Sequence, residues 1–156
     1  MKTATFFIAA AIAFGIAGSA VAQDISGEAL SAHNALRAKH GVPALSWSGK
    51  LAGVAQDYAN KCVFEHNNTG YGENLAQSSS PNVSAMINDW YSEISAYDFA
   101  SGTGNGTGHF TQVVWKSTTQ VGCGIAQCSD GAILVCNYSP AGNMQGAFVE
   151  NVPPAR

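Results

Sequence analysis

Two histidines and two glutamates are the side chains of this sequence that could do chemistry together. His109 stands in the run Gly-His-Phe-Thr-Gln-Val-Val-Trp, directly after a glycine-rich loop, and His66, Glu73 and Glu93 precede it in the chain. A neutral imidazole is a good zinc ligand, and a carboxylate can coordinate a metal ion or orient a bound water. The four residues are therefore a candidate metal-binding set, although they are not by themselves evidence of an enzyme.

Motifs that would indicate hydrolysis or nucleotide binding do not occur in the sequence. The chain contains neither His-Glu-x-x-His nor Gly-x-Ser-x-Gly, and none of its serines and threonines is marked as a nucleophile. Residues 101–108 hold four glycines, but their spacing matches neither a dinucleotide-binding loop nor a Walker loop. We interpret this segment as a loose connection that lets His109 turn inward, rather than as a phosphate site.

The charge balance argues against nucleic acid and against anionic membranes as partners. Seven lysines and arginines stand against ten aspartates and glutamates, a net charge of −3, and the basic residues form no patch. Charged residues make up only 11% of the chain, whereas about 25% is usual in soluble proteins. Uncharged polar residues and glycine fill the surface instead, which is typical of secreted and often glycosylated proteins.

Residues 1–22 have the pattern of a secretory signal peptide. Lys2 supplies the basic start, residues 6–17 form an apolar core, and Ala-Val-Ala gives a cleavage pattern of small residues before Gln23. The apolar core is shorter than the roughly 20 residues that span a membrane, so a retained anchor is the weaker alternative. Residues 23–156 have a length typical of a single domain, and we expect a secreted, extracellular monomer.

Four cysteines follow the predicted signal peptide, an even number that implies two disulfides in an oxidising compartment. Their spacings do not match the Cys-x-x-Cys pairs of zinc ribbons or redox sites, so a metal–thiolate cluster is the minor alternative. Spacing alone does not choose among the three possible pairings. The cysteines are Cys62, Cys123, Cys128 and Cys136.

Helical periodicity is clearest in the first third of the chain. Ser26 is the predicted N-cap of a helix that runs to about Lys39, and Ser48 caps a second helix. In the second helix, apolar residues recur at helical spacing from Leu51 to Cys62. Cys62 is therefore expected on the buried face of that helix.

The rest of the chain alternates between loops, one helix and two strands. Residues 67–82 are rich in Asn, Gly and Ser and predict a loop, and a third helix covers residues 83–96. Two β-rich segments, 121–127 and 132–138, flank a turn that contains Asp-Gly, a good hairpin signal. Three helices with an antiparallel hairpin predict a layered α+β domain.

Several segments together resemble one family, the cysteine-rich secretory, antigen 5 and pathogenesis-related (CAP, or SCP) superfamily. Residues 108–115, followed by Thr118, resemble its first signature, and residues 133–143 resemble its second. The resemblance extends over residues 25–150 and is nearest to the group-one pathogenesis-related proteins of plants and their fungal relatives. The further matching segments are His33-Asn34 with Arg37, residues 71–76 and residues 90–93.

This resemblance implies a three-layer α–β–α sandwich with a small antiparallel sheet. It also implies that His66, Glu73, Glu93 and His109 match a tetrad in a central cleft, where the histidines of some members bind zinc or another divalent ion such as magnesium. With only two nitrogens as firm ligands, we expect metal binding to be weak and exchangeable. The alternative is a hydrogen-bonded polar cluster that holds the layers together.

The cysteine positions of the family imply the pairs Cys62–Cys128 and Cys123–Cys136. The first pair would join the second helix to the end of the hairpin, and the second would cross the hairpin. Each would contribute roughly 2–4 kcal/mol of stability. Plant members have a third pair in the loop before the Gly-His motif; it is absent here, so we expect residues 97–108 to be more mobile.

The resemblance implies a secreted protein that binds sterols, fatty acids or other small lipids and acts in export, defence or host interaction. The candidate lipid-binding residues are aromatic, and the alternative for them is ordinary core packing. Two other functions stay open: a metal-dependent hydrolase or protease that uses the His/Glu cluster, and an effector that binds an extracellular protein. The lipid-binding candidates are Trp90, Tyr91, Tyr97 and Phe99.

Glycosylation sequons are present at four asparagines. Three lie in predicted loops or near a helix start, and we expect them to be acceptors. The fourth, Asn137, lies inside the second signature beside Cys136 and is expected to be unused. The three predicted acceptors are Asn67, Asn82 and Asn105.

Overall fold

The computed structural model describes residues 24–156, and the predicted signal peptide lies outside them. The described part contains five α-helices and four β-strands. In chain order these are α1 (Ser26–Lys39), β1 (Ser46–Trp47), α2 (Gly49–Ala59), β2 (Gly72–Ser78), α3 (Val83–Ser92), α4 (Gly108–Val114), β3 (Gln120–Cys128), β4 (Gly131–Ser139) and α5 (Phe148–Asn151).

The strands form one sheet between two layers of helices, in the order β1-β3-β4-β2. Helix α2 packs on β3 and β4, while α1, α3 and α4 pack together on the opposite side. The expected three-layer α–β–α sandwich is therefore confirmed. The sheet itself is mixed rather than antiparallel, because the two-residue strand β1 pairs parallel to β3.

The hairpin β3–β4 is the centre of the sheet and lies where the sequence predicts it. Gly131, with φ of 119°, makes the turn possible. On the α2 side, Gly122 and Gly124 allow the helix to lie directly on β3, because a side chain at either position would collide with the backbone of Ala52 or Gln56. These two glycines therefore set the close spacing between α2 and the sheet.

The first two helices form as predicted, but their ends differ in detail. The N-cap of α1 is Ile25 rather than Ser26. Ser48 does cap α2, and its hydroxyl accepts a hydrogen bond from the Leu51 N–H at 3.3 Å. Helix α2 ends at Ala59, and Cys62 lies in a turn with φ of 55°, exposed rather than buried. The chain tightens into i→i+3 hydrogen bonds after Ala59, which ends the helical face that the periodicity extended to Cys62.

The segment expected to be a loop, residues 67–82, contains strand β2. Gly72, Glu73 and Asn74 all have low strand propensity, so the local sequence gives little sign of a strand. The strand forms because β4 offers an open edge with which Gly72–Ser78 pair in antiparallel register. Helix α3 ends at Ser92, and the predicted remainder, Glu93–Ala96, continues as a 3₁₀ turn.

Two disulfides complete the framework, in the pairing that the family resemblance implies. Cys62 is bonded to Cys128, and Cys123 is bonded to Cys136 across directly paired positions of β3 and β4.

Within residues 24–156, no helix is both long and apolar enough to cross a membrane.

Candidate functional site

The four residues singled out in the sequence line one cavity of about 220 Å³. His66 comes from the loop after α2, Glu73 from β2, Glu93 from the turn that follows α3, and His109 from the first turn of α4. Elements from both helical layers and from the sheet edge thus converge here. The unpredicted strand β2 is essential to this convergence, because it carries Glu73 to the cavity.

The half of the site formed by Glu93 and His109 is held from several directions. Glu93 Oε1 accepts a hydrogen bond from His109 Nδ1 at 2.7 Å, and its Oε2 accepts the backbone N–H groups of His109 and Phe110, each at 3.0 Å. The ring of Trp90 stacks on the imidazole, with 6.1 Å between ring centroids. Both oxygens of the carboxylate are therefore engaged, and the imidazole has one defined orientation.

The other half, formed by His66 and Glu73, is more open. His66 Nδ1 donates to Glu73 Oε1 at 3.0 Å, and the same oxygen accepts the Asn67 N–H at 2.9 Å. The side chain of His66 is 66% exposed, whereas that of Glu73 is only 5% exposed. His66 therefore stands at the mouth of the cavity, with a buried carboxylate behind it.

These contacts define what the site offers a metal ion. A carboxylate only accepts hydrogen bonds, so each imidazole carries its proton on Nδ1 and, when neutral, presents a lone pair on Nε2. A histidine supported in this way by a carboxylate is a common metal ligand. Within residues 24–156, no three His, Cys, Asp or Glu side chains converge as a metal cage. Binding of a metal ion by the two imidazoles, with or without direct ligation by Glu73 or Glu93, stays a prediction.

Two asparagines also line the cavity, and the sequence reasoning did not single them out. Asn74 donates from Nδ2 to the carbonyl of His109 at 3.1 Å, which ties β2 to α4. Asn143 donates to the carbonyl of Gly108 at 2.9 Å and accepts from the hydroxyl of Thr111 at 2.6 Å. Their positions inside two of the family-like segments were the only signal that could have found them.

The four candidate lipid-binding aromatics lie mainly in the core. Trp90 is buried and donates from Nε1 to the carbonyl of Leu75 at 2.9 Å. Tyr97 and Phe99 pack edge-on against the buried Phe110, with ring centroids 5.5 and 6.2 Å away. Tyr91 is half-buried, as is Phe99. Packing thus accounts for much of this cluster, and contact with a lipid stays a prediction.

The sequons lie in different environments. Asn82 and Asn105 are exposed, and Asn82 also caps α3 by accepting the Ala85 N–H at 2.8 Å. Asn67 is half-buried beside Glu73. Asn137 is fully buried in β4. Glycan occupancy at the first three stays a prediction.

Comparison with known proteins identifies the family. The sequence matches the cysteine-rich secretory protein family over residues 30–138. It is 47% identical over 144 residues to Repressed by EFG1 protein 1 of Candida albicans, covering 81% of this chain but only 53% of that protein. It is 40% identical to pathogenesis-related protein 1A of Nicotiana tabacum, covering 84% of each chain.

Solved structures give the same answer for the fold. Venom allergen-like protein 4 of Schistosoma mansoni superposes with a TM-score of 0.71 at 25% identity, covering 86% of this chain and 96% of that one. With the family match extending over more than half of the sequence, the chain belongs to the cysteine-rich secretory protein, or CAP, family.

Proposed function

We propose that this chain is a secreted, non-enzymatic CAP protein that binds a small acidic lipid, such as a fatty acid, in a groove between α1 and α3. The observation that carries the proposal is the groove itself, which has a volume of about 300 Å³. Secretion is supported by the signal-peptide pattern and by two disulfides, which form and persist in oxidising compartments. Such a protein would act outside the cell, in lipid export, in defence or on a host.

The groove has an apolar floor and two different ends. Ala32, Ala35 and Leu36 of α1 form much of its floor. The stretch of α1 from Glu28 to Lys39 rises about 16 Å, long enough for a good part of an extended acyl chain. The remaining lining residues are polar: Glu28, Ser31, Lys39, Ser84 and Asn88. Small-molecule sites combine apolar surface with polar groups that fix the orientation of the ligand.

The polar groups at the ends of the groove favour one orientation of an acidic lipid. At one end Glu28 accepts the backbone N–H of Ser84 at 2.9 Å, which joins α1 to α3. At the other end the ammonium of Lys39 lies 5.2 Å from the centre of the Tyr91 ring. A lipid carboxylate would pair with Lys39, and its chain would extend toward Glu28. This geometry favours a fatty acid over a neutral sterol.

Equilibrium binding of labelled palmitate and cholesterol to the mature protein tests the proposal. We expect saturable palmitate binding tighter than about 10 µM, equivalent to roughly −7 kcal/mol. Lys39→Gln should weaken it, because the carboxylate loses its partner. Ala35→Phe should abolish it, because the new ring would fill the groove.

Ala38→Phe is the matched control, since Ala38 is also an exposed alanine of α1 but does not line the groove. Palmitate binding that is equally affected by both phenylalanine variants, or no saturable binding of palmitate at all, would contradict the proposal. Cholesterol binding that survives Ala35→Phe would place the lipid site elsewhere on the protein.

We further propose that His66 and His109 bind a divalent metal weakly through their Nε2 atoms. The support is the paired arrangement in which each imidazole is oriented by a carboxylate. Nitrogen donors favour zinc over magnesium, which prefers oxygen ligands. A bound ion would supply positive charge and Lewis acidity at the mouth of the cavity, while Glu73 and Glu93 hold the rings in place.

A metal-dependent hydrolase is not favoured by this arrangement. Glu93 uses both carboxylate oxygens in hydrogen bonds to α4, and Glu73 Oε1 is bonded to His66 and Asn67. Glu93 therefore has no free oxygen to act as a general base, whereas Glu73 Oε2 is buried without a hydrogen-bond partner among the described residues. Among the described residues lining this cavity there is no serine, threonine or cysteine. Cleavage of a peptide library by the zinc-loaded protein, lost in His109→Ala, would overturn this conclusion.

A further inference from the structure

A second cavity, of about 390 Å³, lies beside the His/Glu cavity and is chemically unlike it. It is an open cavity bordered by the glycine-rich loop before α4 and by the segment that leads into α5. Gly108 and Asn143 line both cavities and form the wall between them. Its other principal side chains are Tyr97, Asn105, Thr111, Gln145 and Phe148.

The lining excludes several classes of ligand. None of the residues that line this cavity carries a formal charge, so an anion would find no cationic side chain and a metal ion would find neither carboxylate nor imidazole. A sterol or an acyl chain needs a mostly apolar wall, whereas this wall is formed largely by amides, hydroxyls and glycine backbone. What remains is a neutral ligand with many hydrogen-bonding groups.

We propose that this cavity binds a neutral saccharide. Each sugar hydroxyl both donates and accepts a hydrogen bond, and so does the primary amide of Asn105 or Gln145. The half-buried ring of Phe148 offers apolar surface for the C–H face of a pyranose. The volume lies within the range of small-molecule sites, about 300–1,000 Å³.

The hydroxyl of Tyr97 is a second and independent indication. Tyr97 is only 7% exposed, and its hydroxyl is buried without a hydrogen-bond partner among the described residues. A buried hydroxyl without a partner is costly and uncommon. It occurs here in a residue that lines the cavity.

The saccharide has two possible sources, because Asn105 at this cavity begins the sequon Asn-Gly-Thr. One is a free oligosaccharide, and the other is a glycan attached to Asn105 itself that folds back against Phe148. The chemistry is the same in both cases. The variant Asn105→Gln separates them, because it removes the attachment site and keeps an amide at the rim.

The test uses ligand-observed NMR on the mature Asn105→Gln protein, with maltotriose, mannotriose and triacetylchitotriose as neutral probes. We expect saturable binding of at least one probe. Gln145→Ala should weaken it about 2- to 10-fold, as loss of one hydrogen bond does. Gln120→Ala is the matched control, since Gln120 is an exposed glutamine of β3 outside the cavity, and it should leave the affinity unchanged.

The second arm compares the glycosylated protein with Asn105→Gln. If the protein's own glycan is the occupant, the backbone amide resonances of residues 145–148 will differ between the two, and Gln145→Ala will remove that difference. No binding of any probe, together with identical resonances in this segment, would overturn the proposal. Ala35→Phe should leave saccharide binding intact, so this result is independent of the lipid groove.

Discussion

The imidazole of His33 and the hydroxyl of Tyr138 are hydrogen-bonded at 2.8 Å, and both side chains are fully buried between α1 and β4. His33 Nδ1 donates to the carbonyl of Ala29 at 2.8 Å, so its Nε2 accepts from Tyr138. Asn74, which supports His109 in the cavity, also donates to the Tyr138 hydroxyl at 3.3 Å. A single polar chain thus links the first helix to the His/Glu cavity through the core.

This relationship predicts that stability falls in mild acid. Burial lowers the pKa of His33 from 6.5 to about 4, so the folded protein holds this ring neutral. Between pH 6.5 and 4 the unfolded chain binds a proton that the folded protein does not, and the free energy of unfolding should drop by about 3 kcal/mol over that window. Burial also lowers the pKa of His40, which acts in the same direction.

Denaturant unfolding at a series of pH values measures this effect. In His33→Gln, the part of the pH dependence that comes from His33 should disappear, even if the variant is less stable at pH 7. A slope between pH 6.5 and 4 as steep as in the unaltered protein would show that His33 is not the group responsible.

Arg37 is the second buried group on α1, and its loss should be severe. Its guanidinium donates to the carbonyls of Pro43, Val113, Trp115 and Thr118 at 2.8–3.2 Å, so it joins α1 to the C-terminal end of α4. Arg37→Ala would leave these carbonyls buried without their donor. We expect a loss of about 3–5 kcal/mol, measured by urea unfolding.

Arg37→Lys provides the comparison, because it keeps the charge but cannot reach all four carbonyls at once. It should be destabilised, though less than Arg37→Ala. Equal stability of Arg37→Ala and the unaltered protein would contradict the role that the hydrogen bonds assign to this side chain.

The two disulfides should contribute unequally to stability. Cys62–Cys128 closes a sequence separation of 66 residues and Cys123–Cys136 one of 13. On the chain-entropy account, paired serine substitutions should cost about 4 kcal/mol for the first and about 3 kcal/mol for the second. Thermal and urea unfolding of the two double variants would measure the difference, and the reverse order would count against that account here.

The metal proposal predicts a graded loss of zinc affinity. In calorimetric titration of the metal-free protein, His66→Ala and His109→Ala should each remove most of the binding. Glu93→Gln should weaken it about 10- to 100-fold, because the amide orients His109 less well than the carboxylate does. Glu65→Gln is the control, since Glu65 is exposed beside His66 but does not line the cavity. Zinc affinity that is unchanged in both histidine variants would refute the proposal.

Removal of the Tyr97 hydroxyl should not lower the free energy of unfolding of the unliganded protein. Because this hydroxyl has no partner among the described residues, Tyr97→Phe removes a buried polar group without breaking a hydrogen bond. We expect an unfolding free energy that is equal or slightly higher. A marked loss of stability would show that a partner, such as an ordered water, holds the hydroxyl in the free protein.

The sequence predicted the elements whose signals are local. Ser48 marks the start of α2 by its own hydroxyl, and Asp-Gly marks the β3–β4 turn. Strand β2 was missed because Gly72, Glu73 and Asn74 take strand geometry only when β4 is present to pair with them. Long-range pairing of this kind has no signature in a single segment.

The candidate site likewise combines features that the sequence predicted with features that depend on long-range contacts. The residue types of the His/Glu set suggested metal chemistry, and the family resemblance grouped the four residues. The roles of Glu73 and Glu93 as supports behind the imidazoles depend on hydrogen bonds between separate elements. Those contacts follow from packing between separate elements and were not readable from spacing, whereas the sequence already offered core packing as an alternative for Trp90 and Tyr97.

Asn143 gives the two neighbouring cavities a common boundary, since its amide is bonded to Gly108 and Thr111 and faces both spaces. A ligand that displaces the Asn143 side chain in one cavity would also change the shape of the other cavity. Thermodynamic linkage then requires the two effects to be equal: a metal ion would change the affinity for the saccharide by the same factor as the saccharide changes the affinity for the metal ion. Such coupling between the two cavities would require neither a hinge nor a domain motion, only a rotation of the Asn143 side chain.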